Sequence, residues 1–80
     1  MKIVVYSTNT CPACHALKEW LTGLNISFEN KNVSMDVDAR NHLMLHYGTA
    51  VPVIEVNGVG IIGFRKEKIW YLIKYMELKK

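Results

Sequence analysis

The sequence is poor in cysteine and proline: Cys11 and Cys14 are its only cysteines, and it holds 2 prolines. No apolar run approaches the roughly 20 residues that cross a membrane, and no repeat, linker or low-complexity segment is visible. A structural zinc site needs four ligands, so the absence of a second cysteine pair argues against one. Since 50% of the 80 residues are hydrophobic, the composition is that of a globular chain. We therefore expect one small domain over residues 1–80.

The positive charge of the chain is scattered rather than gathered in one stripe, although the net charge is +3. A nucleic-acid-binding chain typically interleaves a basic stripe with exposed aromatic residues. Here the aromatic residues fall mostly at the spacing of a core. The charge pattern therefore argues against nucleic acid as a partner and favours acidic protein surfaces.

The start of the chain shows no secretion signal, because residues 1–6 hold one lysine and too short an apolar run. A reactive dithiol in a chain without such a signal is typical of the reducing cytosol, where thiols are catalytic rather than structural. We therefore expect a cytoplasmic, monomeric protein that does not associate with membranes.

The two cysteines form a Cys-Pro-Ala-Cys motif between a short apolar run and an amphipathic run. Such a pair at a strand–helix junction is typical of a thioredoxin-like redox site. Cysteines three apart in a first helical turn lie on one side of it, close enough to form a disulfide. Cys11 would lie at the helix N-terminus, where free N–H groups favour a thiolate, and Cys14 would lie deeper as the resolving thiol. The alternatives are half of a zinc site and a structural disulfide, which would stabilise so short a loop little.

The apolar pattern predicts the order β-α-β-α-β-β-α. The second helix would start at a Ser34 or Asp36 cap and end before Gly48, and Asn57-Gly58 predicts a hairpin turn. The sheet would be parallel or mixed, with the hairpin at its edge and helices on both faces. The predicted strands cover residues 3–6, 26–33, 53–56 and 59–62, and the other helices cover residues 12–24 and 66–78.

Several side chains in the helices have alternative interpretations. The second helix would place Val37, Leu43, Met44 and Tyr47 toward the core, and Trp20 and Trp70 fall on apolar stripes, which indicates core positions. His42 and His46 are four apart, a spacing that can bind metal, but exposed surface histidines fit the ligand count better. His15 follows Cys14 and is interpreted as a solvated helix residue rather than one that tunes the thiols.

The Cys11-to-Cys14 motif, the Val51-Pro52 pair and the Val56-Asn57-Gly58 turn resemble a glutaredoxin over nearly the whole chain. The resemblance implies a thioredoxin fold of the α/β class, with a four-stranded mixed sheet flanked by three helices. It implies a thiol-disulfide oxidoreductase in which Cys11 attacks and Cys14 resolves, with no metal or organic cofactor required. It also implies a cis Pro52 that faces the cysteines. The substrate-binding residues that it implies are Tyr6, Thr10, Pro12, Val51, Pro52, Gly63 and Phe64.

The sequence departs from glutathione-using glutaredoxins at three places. Thr8 stands where they carry a lysine or arginine, Ala13 stands where they carry tyrosine, and Gly63 to Lys66 replaces a Gly-Gly run followed by an acidic pair. Basic side chains cannot accept the glutathione ammonium. The Gly-Phe-Arg run resembles the NrdH-type redoxins, which donate electrons to ribonucleotide reductase and are reduced by thioredoxin reductase. Ile61-Ile62 replaces their usual Trp-Ser, and small bacterial glutaredoxin-like proteins share other features, so both branches stay open.

Two classes of function are compatible with these residues. The first is a dithiol electron carrier that reduces protein disulfides and is re-reduced by thioredoxin reductase or glutathione. The second is a glutaredoxin that holds an iron-sulfur cluster between two protomers with the help of glutathione. The poor match to a glutathione pocket, and a resolving cysteine free to form a disulfide, favour the first class.

Overall fold

The computed structural model describes residues 1–78, and these residues form four strands and three helices in the predicted order. Lys79 and Lys80, which belong to the expected domain, lie outside the described residues. No helix within residues 1–78 is long and apolar enough to cross a membrane. The elements are β1 (Ile3–Ser7), α1 (Pro12–Gly23), β2 (Glu29–Asn32), α2 (Val37–Tyr47), β3 (Val53–Val56), β4 (Val59–Ile62) and α3 (Lys66–Leu78).

The strands form one mixed sheet in the order β2-β1-β3-β4. β2 runs parallel to β1, whereas β3 and β4 are antiparallel to their neighbours. Asn57 and Gly58 adopt the positive φ angles of 50° and 87° that a tight hairpin turn requires, so the predicted hairpin is confirmed. This arrangement confirms the thioredoxin fold.

The second strand is shorter than the sequence predicted, because β2 begins only at Glu29. Asn25 ends the first helical segment with a φ of 59°, and the residues after it approach the sheet before they pair with it. Ile26 and Phe28 pack against the core from this connection, outside the strand. β2 therefore forms an exposed edge, which agrees with the weak strand signal.

The core lies on both faces of the sheet, because all five residues of β1 are buried. Ile3 and Val5 belong to the layer under α1 and α3, whereas Val4 and Tyr6 belong to the layer under α2. Alternate residues of a strand point to opposite faces, so a strand covered on both sides is apolar throughout. The first layer is filled by Leu17, Leu21, Ile54, Val56, Ile69 and Ile73, and the second by Val33, Ala39, Leu43 and Val53.

Two of the predicted core positions of α2 are wrong. Val37 is 55% exposed and Met44 is 54% exposed, while Ala39 and Leu43 are the buried residues of this helix. The reason is that α2 packs partly through polar side chains that reach the sheet, rather than through an apolar stripe.

The interpretation of Trp70 as a core residue is also wrong, since its side chain is 40% exposed. α3 buries Ile69 and Ile73, which lie one turn apart, and the neighbouring position points about 100° away from that face. The Lys74 ammonium lies 4.4 Å from the centre of the indole instead. Trp20, by contrast, is partly buried against the core.

A polar cluster joins α2 to the sheet, and we call Glu55, Tyr6, Tyr47 and His42 the Glu55 cluster. The Tyr6 hydroxyl donates to Glu55 Oε1 at 3.0 Å, and the Tyr47 hydroxyl donates to Glu55 Oε2 at 2.7 Å. His42 Nε2 lies 2.9 Å from Oε2, and its ring stacks on Tyr6 with centres 5.4 Å apart. His42 is therefore not a plain surface histidine, although His46 is exposed.

The Glu55 cluster holds its carboxylate in the charged form. Burial opposes that charge, but the hydrogen bonds from His42, Tyr47 and Tyr6 outweigh it, so the pKa of Glu55 is lowered. Burial, followed by the hydrogen bond to Glu55, raises the pKa of Tyr47 to about 12 and raises the pKa of Tyr6 as well. The charged carboxylate and the two neutral phenols thus stabilise one another in the folded state.

We expect Glu55→Gln to lower the free energy of unfolding at pH 7 by about 1–3 kcal/mol, because the hydroxyls lose a charged acceptor. A carboxyl whose pKa is lowered by folding stabilises the folded protein at pH values above its pKa in the unfolded chain, which is about 4.5 for glutamate. This stabilisation disappears as the pH falls through the lower pKa of the folded state. Urea unfolding of both proteins from pH 7 to pH 3 should therefore show the difference shrink in acid.

Glu67→Gln is the matched control for this prediction, because it removes a charge from an exposed carboxyl on α3. It should change the free energy of unfolding by less than about 0.5 kcal/mol at pH 7. A Glu55→Gln protein as stable as the parent at pH 7, or a difference that grows in acid, would contradict the account of the cluster.

Candidate active site

The cysteine motif lies at the junction between β1 and α1, where a short loop joins the strand to the helix. Cys11 is the N-cap of α1, and Pro12 occupies the start of the helix. The backbone N–H of Cys14 donates to the Cys11 sulfur at 3.1 Å. The sulfur thus takes the place of the side-chain oxygen that usually accepts from a first-turn N–H. An N–H group directed at the sulfur, at the positive end of the helix dipole, stabilises negative charge on it.

The two thiols differ strongly in exposure. Both are free cysteines; Cys11 is partly exposed, whereas Cys14 is fully buried. Burial, and then the hydrogen bond with Cys11, raise the pKa of the Cys14 thiol to about 11. Cys14 is therefore protonated near neutral pH and out of reach of a large substrate, while the Cys11 sulfur is accessible. This asymmetry favours a first attack by Cys11, since the thiolate is the nucleophile.

Two further segments lie at the same end of the sheet as the cysteine loop. The pairing of Tyr6 with Val53 brings the start of β3 beside the end of β1, which leads to Cys11. The Val51-Pro52 peptide bond directly before β3 is cis, as the resemblance implied. The Gly63 N–H donates to the Pro52 carbonyl at 2.7 Å, so the residue after β4 is fixed to the same place.

Phe64 is held beside α1 rather than extended into solvent. Its ring meets the edge of Trp20 with centres 5.8 Å apart, and the Lys66 ammonium lies 5.4 Å from its centre. Arg65 and Lys66 are exposed next to it. The residues after β4 therefore present one half-buried ring, packed against Trp20 of α1, and two exposed cations.

Of the implied substrate-binding residues, Tyr6 is separated from the rest. Its side chain is 4% exposed and its hydroxyl is bonded to Glu55, so it does not lie on an exposed rim. Thr10 and Pro12 are exposed on either side of Cys11, and Val51 is half-buried. Pro52 is buried, while Gly63 and Phe64 are half-buried.

A groove of about 310 Å³ lies beside the site, between the loop after β1 and α2. Arg40 provides the cation in its lining, a position that sequence reasoning did not connect with the site.

Sequence reasoning also missed Glu55, although an acid within an otherwise apolar strand is a signal, because buried charges require partners. No group of three or more His, Cys, Asp or Glu side chains within residues 1–78 is arranged to hold a metal ion. The 310 Å³ groove described above is lined by Thr8, Val33, Ser34, Arg40, Leu43, Met44, Thr49 and Val51.

Known proteins are similar to the chain over most of its length. A glutaredoxin-like 8.6 kDa protein encoded in the rubredoxin operon of Clostridium pasteurianum is 42% identical over 73 residues, which cover 90% of this chain and 97% of the relative. The structure of a thioredoxin-like protein, BC3987, is 36% identical with a TM-score of 0.82, covering 89% of this chain and 99% of that one.

The structure of the glutaredoxin-like NrdH-redoxin from Escherichia coli, described as having a thioredoxin-like activity profile, is 30% identical with a TM-score of 0.82. The match covers 90% of this chain and 95% of that one. The family profile named Glutaredoxin matches residues 3–61. The chain therefore belongs to the glutaredoxin family, as a glutaredoxin-like thiol-disulfide oxidoreductase of the NrdH type.

Proposed function

We propose that this protein is a dithiol electron carrier that reduces disulfides in protein substrates, with Cys11 as the nucleophile and Cys14 as the resolving thiol. The observation that carries the proposal is the contrast between the two sulfurs. Cys11 is accessible and accepts the Cys14 N–H, whereas Cys14 is fully buried and its pKa is raised to about 11. One thiol is thus suited to meet a substrate and the other to act only within the protein.

The reaction proceeds by thiol–disulfide exchange in two steps. The Cys11 thiolate attacks one sulfur of the substrate disulfide, whose S–S bond breaks, and the departing sulfur takes up a proton. Cys14 then gives up its proton and attacks the Cys11 sulfur, which closes the Cys11–Cys14 disulfide and releases the second substrate sulfur as a thiol. The substrate gains two electrons and the carrier loses two, so an external reductant must restore the dithiol.

The surface around Cys11 suits an extended segment of a substrate protein. We assign substrate contacts to Thr10, Pro12 and Phe64, and to the backbone of Val51, Pro52 and Gly63. Tyr6 is left out, because its ring is buried and its hydroxyl is bonded to Glu55. Main-chain pairing supplies affinity in such contacts without fixing the substrate sequence.

The reductant in this proposal is a thioredoxin-reductase-type flavoenzyme rather than glutathione. Thr8 lacks the charge that would meet a glutathione carboxylate, and Arg65 and Lys66 are exposed where an acid would be needed for its ammonium. The resemblance to NrdH-type redoxins makes ribonucleotide reductase the first protein substrate to test. The proposed setting is the reducing cytosol, with the protein acting as a monomer.

Substitution of each cysteine tests the assignment of roles. We expect Cys11→Ser to abolish reduction of a protein disulfide such as that of insulin, because the accessible nucleophile is gone. Cys14→Ser should still attack but should accumulate a mixed disulfide between Cys11 and the substrate, visible as a mass adduct that dithiothreitol removes. An adduct on Cys14 in the Cys11→Ser protein, with no adduct in the other variant, would reverse the roles.

The choice of reductant can be measured directly on the oxidised protein. We expect reduction by thioredoxin reductase with NADPH to be faster than reduction by glutathione with glutathione reductase, at equal protein concentration. A lost charged hydrogen bond costs about 1.5–3 kcal/mol, so glutathione should bind at least about tenfold more weakly than to a glutaredoxin that has the acidic pair. Equal or faster reduction by glutathione would contradict this part of the proposal.

A double substitution provides the matched control for the reductant. Thr8→Lys with Arg65→Asp restores a cation and an acid, and aspartate suits the residue that precedes α3. The rate with glutathione should rise about tenfold, while both thiols remain in place. An unchanged rate in a folded double variant would show that these charges do not decide the reductant.

A further inference from the structure

Glu55 is a charged side chain that the redox chemistry does not use. It is only 12% exposed, and it lies within a strand whose other residues are apolar and buried. Burying a carboxylate costs free energy unless its oxygens are hydrogen-bonded, and an aliphatic side chain would fill the same layer without that requirement. A function beyond packing would therefore explain why β3 carries a carboxylate at position 55.

The hydrogen bonds of Glu55 hold two very different parts of the chain. Tyr6 lies on β1, which the backbone ladder already pairs with β3 at Val53 and Glu55 itself. Tyr47 is the last residue of α2, and residues 48–52 run from it to the active site without regular secondary structure. The bond from Tyr47 to Oε2 therefore fixes the origin of the segment that ends in Val51-Pro52, where no ladder does so.

A glycine in β4 leaves room for the Tyr47 side chain that makes this bond. The Tyr47 ring lies against Gly60, which is the pairing partner of Glu55 on β4. A Cβ atom at Gly60 would overlap the outer end of the Tyr47 ring, so the phenol would have to shift away from its present position beside the carboxylate. Tyr47 and Val51 also pack against the same layer of the core. Glu55 and Gly60 together thus accommodate one side chain, that of Tyr47.

We propose that Glu55 is a positioning residue, which through Tyr47 holds residues 48–52 so that Val51 meets the substrate beside Cys11. The inference rests on the proposed function, because it concerns the affinity of the site for a protein disulfide. It adds a specificity device away from the cysteines, since the side-chain partners of Glu55 are Tyr6, His42 and Tyr47 rather than Cys11 or Cys14.

A matched pair of variants tests the positioning role. Tyr47→Phe removes one hydrogen bond to Oε2 at the end of α2, while His42→Phe removes one hydrogen bond to the same oxygen within α2. Both keep an aromatic ring, so a merely structural role predicts similar effects. We expect Tyr47→Phe to raise KM for a protein disulfide about three- to tenfold with kcat unchanged, and His42→Phe to leave KM within twofold of the parent.

A second variant and a small substrate keep the test decisive. Gly60→Ala should displace Tyr47 and raise KM like Tyr47→Phe, and the two changes combined should have no additive effect, because both break one contact. The rate with a small aromatic disulfide should stay within twofold in all of them, since it needs no contact with residues 48–52. Equal KM values for Tyr47→Phe and His42→Phe, or an equal loss with the small disulfide, would overturn the positioning role.

Failure of the positioning role is distinguishable from failure of the proposed function. A parent protein that reduces the protein disulfide, with a Tyr47→Phe variant that does so with the same KM, overturns only the role of Glu55. A parent protein that reduces neither disulfide overturns the proposed function itself.

Discussion

The burial of β1 on both faces is the constraint from which the site follows. Every residue of this strand is buried, with α1 and α3 on one side and α2 on the other. Since β1 is the second strand of the order β2-β1-β3-β4, its end is fixed between two neighbours. The chain leaves that fixed end through a loop of a few residues and begins α1 at Cys11. The position of the reactive sulfur is thus set by the core.

Different physical effects then separate the roles of the two sulfurs. Cys11 lies at the helix terminus, where the Cys14 N–H meets its sulfur at 3.1 Å, while Cys14 lies one turn further into the buried face. Burial keeps Cys14 protonated, while Cys11 remains partly exposed at the helix terminus. A spacing of three residues at a helix start is enough to give one exposed and one buried thiol.

The sequence predicted those parts of the structure that depend on local signals. The start of α1 at Pro12, the turn at Asn57-Gly58 and the full extent of α3 follow from residues close together in the chain. The Cys-x-x-Cys motif, together with the Val51-Pro52 pair and the Asn57-Gly58 turn, likewise predicted the family. These features require no knowledge of which segments meet in space.

The features that sequence reasoning missed depend on contacts between distant segments. Tyr6, His42 and Tyr47 converge on Glu55 from β1 and α2, and this pairing turns a polar face of α2 toward the sheet. Val37 and Met44 are left exposed as a consequence, although their apolar character suggested a core. The charge of Glu55 within an apolar strand was the available signal, but its partners could not be identified from spacing alone.

The central claim is that one thiol is the nucleophile and the other is shielded, and alkylation of the reduced parent protein tests it most directly. With limiting iodoacetamide at pH 7, followed by peptide mass spectrometry over time, the account predicts that Cys11 is modified first. Cys14 should resist modification in the folded protein until the pH approaches the raised pKa of its thiol, about 11. Equal rates at the two cysteines at pH 7, or faster modification of Cys14, would contradict it.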